Sequence, residues 1–417
     1  MQITIWHSSE ASVLSDWIIN KTSLSKITTV TKRELAMSDA SSPKTFHLMP
    51  ARIKEILYLD SPDIIISVAD VPLLSIEISE EAGTGHNAFQ RFSRLAAAVE
   101  NNVAAFYIYP EAVWINRTKS NTKRWDVLNP LIFKTMENMM RIYDIPAFLY
   151  FFPTDFQGDT KKPPTQSFGP KGHSYEDDHL YPGAPNSNSP QMTELLEHLE
   201  EMLKIAYSNA PSQVGSIALK KKWAQDKRDW MAAQWASRNA GRIWSPQTAT
   251  LEVDTQVLLK HLSKYAEKNH DFGPLLSSRA KTVIYFPKEK YRKQGDPYTG
   301  ALASLDYLLC RDGKTYEDRE KNLVIAFGDL KFLPSGDLDN VVGPATIGDY
   351  VTPIQDLYRS KSRVLLGRSY VELKGQIPRY MMQVRHGTSY TKRKDLRIFA
   401  YFADAIIFPD GSLWREA

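Results

Sequence analysis

Residues 61–79 read SPDIIISVADVPLLSIEIS. Two dense β-branched runs, 63–69 and 73–79, flank Asp70-Val71-Pro72, so the stretch predicts a hairpin of two strands with its turn at 70–72. Arms of similar length bring Asp63, at the start of the first strand, opposite Glu77, near the end of the second. Strand alternation puts Glu77 and Ser79 on one face and Ile76 and Ile78 on the other. A glutamate in so apolar a strand needs a role. Two carboxylates converging at a sheet edge suit Mg²⁺, which takes hard oxygen ligands. A bound Mg²⁺ polarises a phosphate and lowers the pKa of its water.

The flanking chain predicts an α/β fold. Residues 1–7 read as a strand and 8–20 as a helix started by Ser8. Phe89, Phe92, Leu95, Ala96 and Val99 recur at helical spacing over 87–100. Residues 103–109 and 147–152 are buried strands, the first ended by Pro110. Between hairpin and helix, EEAGTGHN (80–87) offers two glycines that could approach a phosphate or simply make the connection; it lacks the Gly-Lys-Ser/Thr ending of a phosphate loop.

Gly, Pro, Ser and Asn dominate 157–190, which predicts a linker or long loop. Helices are expected at 192–209, 218–238 and 256–268. From 281 the pattern is mixed again. It gives a strand at 282–286, paired strands at 301–310 and 322–330 joined by the polar turn 311–321, a helix near 380–385, strands at 397–402 and 405–408, and a turn at 409–411. The expected organisation is an N-terminal mixed-sheet domain (1–156), a linker (157–190), a helical segment (191–270) and a C-terminal mixed-sheet domain (271–417).

Composition excludes several chemistries. The single cysteine, Cys310, allows neither an internal disulfide nor a Cys-based zinc site, and it sits in an apolar run. There is no G-x-S-x-G elbow and no H-E-x-x-H. No basic-then-apolar leader and no apolar run of ~20 residues occurs, so a soluble, cytoplasmic protein is expected, with no membrane contact. The net charge is only +4, but residues 359–397 hold eleven Lys or Arg against two acids, a balance of +9 that suits a polyanion. Arg379, Arg385, Lys392, Arg393 and Lys394 are the expected phosphate contacts. Residues 220–244 interleave seven Lys or Arg with Trp223, Trp230, Trp235 and Trp244, read either as a nucleic-acid surface or as packed helix.

The set Ser61-Pro62-Asp63, thirteen residues, Glu77-Ile78-Ser79, followed by a helix with Gln90-Arg91 and then a strand, resembles the PD-(D/E)XK nucleases over residues 50–110. The resemblance implies that Asp63 and Glu77 bind metal and are catalytic. It departs at Ser79, where the family has a lysine that orients the attacking water. Ser79 and Gln90 are then auxiliary candidates, with Arg91 the alternative to Gln90 as a polar partner. A second set, Asp306 with Asp329 and Lys331, carries the full acid…acid-x-Lys pattern over 301–332 and implies a second PD-(D/E)XK-like domain. There the lysine would stabilise charge beside metal-binding, catalytic acids.

The resemblance implies a metal-dependent deoxyribonuclease using Mg²⁺, or Mn²⁺ in its place, on double-stranded DNA. A type II restriction endonuclease is the leading expectation. A repair, recombination or transposition nuclease, or a DNA-binding protein with inactive nuclease-like domains, stays open, as does monomer against homodimer.

Overall fold

In the computed structural model, β1 (Ile3–His7) lies between β2 (Val30–Glu34), parallel to it, and β3 (Ile64–Val68), antiparallel. β3 pairs antiparallel with β4 (Val71–Ile78), and β4, β5 (Ala104–Pro110) and β8 (Ala147–Phe152) then run parallel. The sheet order is β2-β1-β3-β4-β5-β8, a mixed α/β sheet. The described residues are 2–27, 29–35, 48–80, 88–118, 121–173, 189–238, 250–264, 276, 278–286, 296–326, 330–340, 398–399, 401–407 and 413–415.

The hairpin turns earlier than its sequence suggests. Ala69 and Asp70 both adopt positive φ (48° and 64°), so these two make the turn, and Val71 and Pro72 already belong to β4. A register shift at Ile66/Ser67 accommodates Pro72, which cannot donate to the ladder. The expected N-terminal helix begins as a 3₁₀ turn (Ser9–Ala11) before α1 (Ser12–Lys21), with no side-chain cap from Ser8. α2 (Ala51–Leu57) leads into the hairpin, and α3 (Phe92–Glu100) connects β4 to β5 and packs on β5. Pro110 closes β5 from within it rather than after it.

A ribbon absent from the sequence reading follows β5. β6 (Ala112–Arg117) and β7 (Thr122–Val127) pair antiparallel as a separate two-stranded sheet. Its root is clasped by the loop beyond β8. The Trp125 indole N–H donates to Lys162 O (2.5 Å), and the Trp114 backbone N–H donates to Lys171 O (2.9 Å).

α4 (Leu131–Tyr143), α5 (Pro190–Ser208), α6 (Val214–Leu219) and α7 (Lys222–Arg238) complete this part, and α4, α5 and α7 all pack on β8. Compact units accordingly span Met1–Trp244 and Ser245–Ala417, so the loop-rich 157–190 stretch falls inside the first unit. α7 covers the outermost strand. Trp223 meets Phe148 and Trp230 meets Phe151, residues that point to opposite faces of β8. Buried Lys227 lies over the Tyr150 and Trp230 rings (4.2 and 3.9 Å) and pairs with Glu194 (2.6 Å). Arg228 and Arg238 pair with Glu137 and Glu111. The basic, tryptophan-rich helix is therefore committed to packing through these residues.

The second unit has the sheet order β15 (Leu413–Arg415), β14 (Ala405–Ile407), β11 (Lys321–Ala326), β10 (Lys281–Tyr285), β9 (Thr250–Asp254). β9 (Thr250–Asp254) precedes α8 (Thr255–Ser263), which corrects the expected purely helical 191–270 segment; β9 pairs antiparallel with β10 (Lys281–Tyr285). A second correction concerns 301–310. Its apolar run is the end of α9 (Asp296–Leu305) plus a π-helical turn (Asp306–Arg311), and β11 (Lys321–Ala326) then runs parallel to β10. The expected strand pair is thus a strand–helix–strand crossover, because an apolar run buried all round has no period that separates strand from helix. Leu330–Phe332 forms β12, paired with β13 (Leu338–Asn340) in a small hairpin separate from β11. Residues 398–399 and 401–402 are helical rather than strand, and β14 (Ala405–Ile407) and β15 (Leu413–Arg415) end the sheet. Val253, Leu258, Ile284, Val324 and Ala405 lie in its core. The expected features at 380–385 and 409–411 lie outside the described residues. Among the described residues, no helix is long and apolar enough to cross a membrane.

Gly172 tests the clasp on the ribbon. It has φ +80°, and a Cβ there would lie 1.9 Å from Cη2 of buried Trp125. Gly172→Ala should destabilise the protein by roughly 1–3 kcal/mol. A thermal melt unchanged by the substitution contradicts this packing.

Candidate functional site

Asp63 and Glu77 come together because Ile64 opposes Ile76 in the hairpin, and the same register continued by one residue sets 63 against 77. The contacts are reciprocal. The Asp63 backbone N–H donates to Glu77 Oε2 (3.2 Å), and the Ile78 backbone N–H donates to Asp63 Oδ2 (2.9 Å). Ser8 adds its hydroxyl to Asp63 Oδ1 (3.4 Å) and its N–H to Asp63 O (2.8 Å). Asp63 is half-buried; Glu77 is 1% exposed.

α3 supplies the positive charge. Arg94 Nη1 donates to Glu77 Oε1 (2.7 Å), and Arg91 Nε lies 3.4 Å from the same oxygen. Arg94 Nε in turn donates to Asp60 Oδ2 (2.9 Å), while Asp60 Oδ1 accepts from Ser61 N (2.9 Å). Three carboxylates and two guanidiniums thus share one pocket of charge, with the acids in excess by one. Arg91 and Arg94 are spaced i, i+3 and reach the same side of their helix. That spacing was the available signal for Arg94; Asp60 had none, since only folding brings it to α3.

Burial dominates the electrostatics. It pushes the Glu77 carboxyl up from 4.5 to about 8, against the pull of Arg94; Asp63 pushes the same way as burial, and Arg91 opposes it. Tyr107, paired with Glu77 in the β4–β5 register, is pushed well above the ordinary phenol range by burial, with Tyr109 and Glu77 adding to the effect. Arg94 is held well above its usual value by Asp60, Glu77 and Asp63, against its desolvation.

The other candidates fall as follows. Pro62 is buried, and Ser79 is half-buried at the end of β4, where its N–H donates to Ile108 O (3.0 Å). Gln90 is half-buried just before α3; of the two expected polar partners it is Arg91 that meets Glu77, together with Arg94. The glycine-containing loop 81–87, with His86, lies outside the described residues.

No group of three or more His, Cys, Asp or Glu arranged to hold a metal is found among the described residues. Mg²⁺ is commonly held by one or two carboxylates, with waters and substrate phosphate completing its shell. The Asp63–Glu77 pair fits that demand. Glu77 Oε1 faces both guanidiniums, while Glu77 Oε2 and the two Asp63 oxygens each keep a lone pair beyond the single hydrogen bond given above. A buried carboxyl driven toward neutrality is also one that added positive charge would return to its ionised form.

The second constellation is built differently. Asp306 is fully buried on the π-helical turn, not on a strand. Its Oδ2 accepts from Arg311 Nε (2.5 Å) and its Oδ1 from Arg319 Nη1 (2.5 Å). Arg319 also grips Asp404, which accepts from Tyr316 Oη (2.8 Å) and Leu323 N (2.8 Å). A cation at Asp306 would have to displace two guanidiniums, so this side chain fits an ion-pair anchor. Lys331 is exposed on β12, opposite Asp339. Asp329 lies outside the described residues, as do Arg379, Arg385, Lys392, Arg393 and Lys394. Burial, with Asp306 adding to it, pushes the Cys310 thiol far above its ordinary range, which makes it inert.

Comparison with family models, characterised proteins and solved structures finds no match to this chain.

Two outcomes follow. Glu77 binds its extra proton in the folded state between about 4.5 and about 8. Its stabilisation is therefore complete below the lower value and is lost as pH rises through the upper one. In metal-free buffer, wild type should lose stability relative to Glu77→Gln from pH 5 to pH 8, by up to about 1.4 kcal/mol per pH unit. Urea melts across that range measure it, and parallel pH profiles contradict it. Asp306→Ala should cost roughly 3–5 kcal/mol, because two buried guanidiniums lose a carboxylate; a urea midpoint near wild type removes the anchor role.

Proposed function

We propose that the first unit cleaves phosphodiester bonds in duplex DNA with a divalent cation, as a metal-dependent endonuclease of the PD-(D/E)XK type. The observation that carries this reading is the reciprocal hydrogen bonding that fixes Asp63 against Glu77 at one edge of the sheet. The order of elements around the pair supports it: an acidic hairpin, a helix, then a parallel strand.

Asp63 and Glu77 would hold Mg²⁺, or Mn²⁺ in its place. When bound, such an ion polarises a phosphate and lowers the pKa of its water. The chain's own residues do the rest. Arg94, held by Asp60, fixes the Glu77 carboxylate through Oε1. Arg91, with 27% of its side chain exposed, carries positive charge from Glu77 toward solvent, where a phosphate oxygen would lie. These arginines supply the cationic character that Ser79 lacks at the family's lysine position. The residues 359–397 enter the proposal on charge alone, as a grip on DNA. A restriction endonuclease is the specific role we favour.

Plasmid digestion with Mg²⁺ tests the reading. Wild type should cut, and Asp63→Asn and Glu77→Gln should each lower cutting at least 100-fold while leaving Lys331→Ala near wild type. Absence of cutting on varied unmodified DNA, or full activity in Glu77→Gln, removes it.

A further inference from the structure

We infer that the β6–β7 ribbon is a duplex-DNA contact arm standing beside the Asp63–Glu77 site; this rests on the nuclease reading for its purpose but not for its chemistry. The placement comes from strand direction. β4 and β5 are parallel, with Glu77 opposite Tyr107, so both strands end on the edge that carries the acidic pair. β5 closes at Pro110 and the ribbon starts at Ala112. It therefore springs from that same edge. Its six-residue strands reach about 20 Å at ~3.4 Å per residue.

The ribbon is built in two halves. The root is apolar and fixed. Trp114 and Trp125 meet edge to face (5.8 Å, 74°), Trp125 packs on Phe156 (5.4 Å), and the clasping loop holds both tryptophans through backbone contacts. The distal half is cationic and exposed, with Arg117, Lys123 and Arg124 all facing solvent. Among the described residues no carboxylate pairs with these three, whereas Arg228 and Arg238 on α7 are each matched to a glutamate. Over residues 112–127 the sequence has four Lys or Arg against one acid, Asp126.

Register distributes the charge over both faces. Arg117 opposes Thr122, so Arg117 and Arg124 are diagonal neighbours on one face, and Lys123, opposite Asn116, lies on the other. A slender ribbon with cations on both faces can meet phosphates on both walls of a groove. The B-form major groove admits a two-stranded ribbon, whereas the A-form major groove of RNA is too narrow and deep for side chains to read. Duplex DNA is therefore the partner this geometry fits.

Fluorescence anisotropy of a labelled DNA duplex in EDTA, titrated with NaCl, tests the arm without any cleavage. The triple variant Arg117→Ala/Lys123→Ala/Arg124→Ala should bind at least 10-fold more weakly than wild type near 0.1 M salt. The slope of log affinity against log salt should shrink by about 2–3, at ~0.9 per phosphate contact. The charge-keeping variant Arg117→Lys/Lys123→Arg/Arg124→Lys should retain the wild-type slope, and all three proteins should melt alike. Equal affinity and slope in the triple variant, no binding by wild type, or preferential competition by duplex RNA each overturns the arm. Weakened binding by the triple variant in a protein that cuts no DNA removes the nuclease reading alone. Glu77-dependent cutting with an unaffected triple variant removes the arm alone.

Discussion

Glu77 is a carboxylate placed where water hardly reaches, and the first unit is arranged around that fact. An isolated buried carboxylate is too costly to keep ionised. Here the cost is met from three directions: the Asp63 backbone N–H across the hairpin, Arg94 and Arg91 from α3, and Asp60 behind Arg94. The compensation is incomplete, because burial still lifts the carboxyl to about 8. Incomplete compensation separates this cluster from an ordinary structural ion pair, since the group is left favouring added positive charge. Asp306 shows the contrast. It is buried as deeply, yet each of its oxygens faces its own guanidinium.

The same constraint explains what could be read in advance. Pairing of Asp63 with Glu77 is legible because a hairpin is local: two apolar arms and a short turn leave few registers. The turn itself was misplaced, toward Pro72. A non-glycine pair at positive φ, Ala69-Asp70, carries little sequence signal, and the shift at Ser67 hides the proline. Asp60 and Arg94 were not legible as partners, because their meeting depends on how α3 packs on the sheet. The two-stranded ribbon carries little sequence signal although Trp114 and Trp125 sit directly opposite each other in it. Its strands alternate too weakly in polarity, because one face of the root is covered by a loop rather than by the core.

In the second unit, composition misled more than it informed. The run 301–310 is apolar on every side because it is buried, so periodicity could not separate α9 from a strand. Asp306 looked like an acid interrupting a strand and is instead the anchor of Arg311 and Arg319. The sheet core of 282–286, 322–326 and 405–407 was recognisable because parallel strands buried on both faces show as short unbroken β-branched runs.

Charge distribution separates the surfaces by their work. On α7, Lys227, Arg228 and Arg238 are matched with Glu194 on α5, Glu137 on α4 and Glu111 between β5 and β6, and Trp223 and Trp230 cover β8; those cations tie the helix to its neighbours. On the ribbon, Arg117, Lys123 and Arg124 have no carboxylate partner among the described residues, while the tryptophans below them are locked. Exposed like charges repel one another and add little to folding, so the folded chain gains nothing from keeping Arg117, Lys123 and Arg124 together on so narrow a projection. An external polyanion reverses that balance, because each phosphate contact releases counterions to solution. The acidic pair and the cationic ribbon, set on one edge of a single sheet, would then divide the work of a substrate with alternating demands: acids to seat a metal ion at the bond to be broken, and bases to hold the phosphates on either side of it.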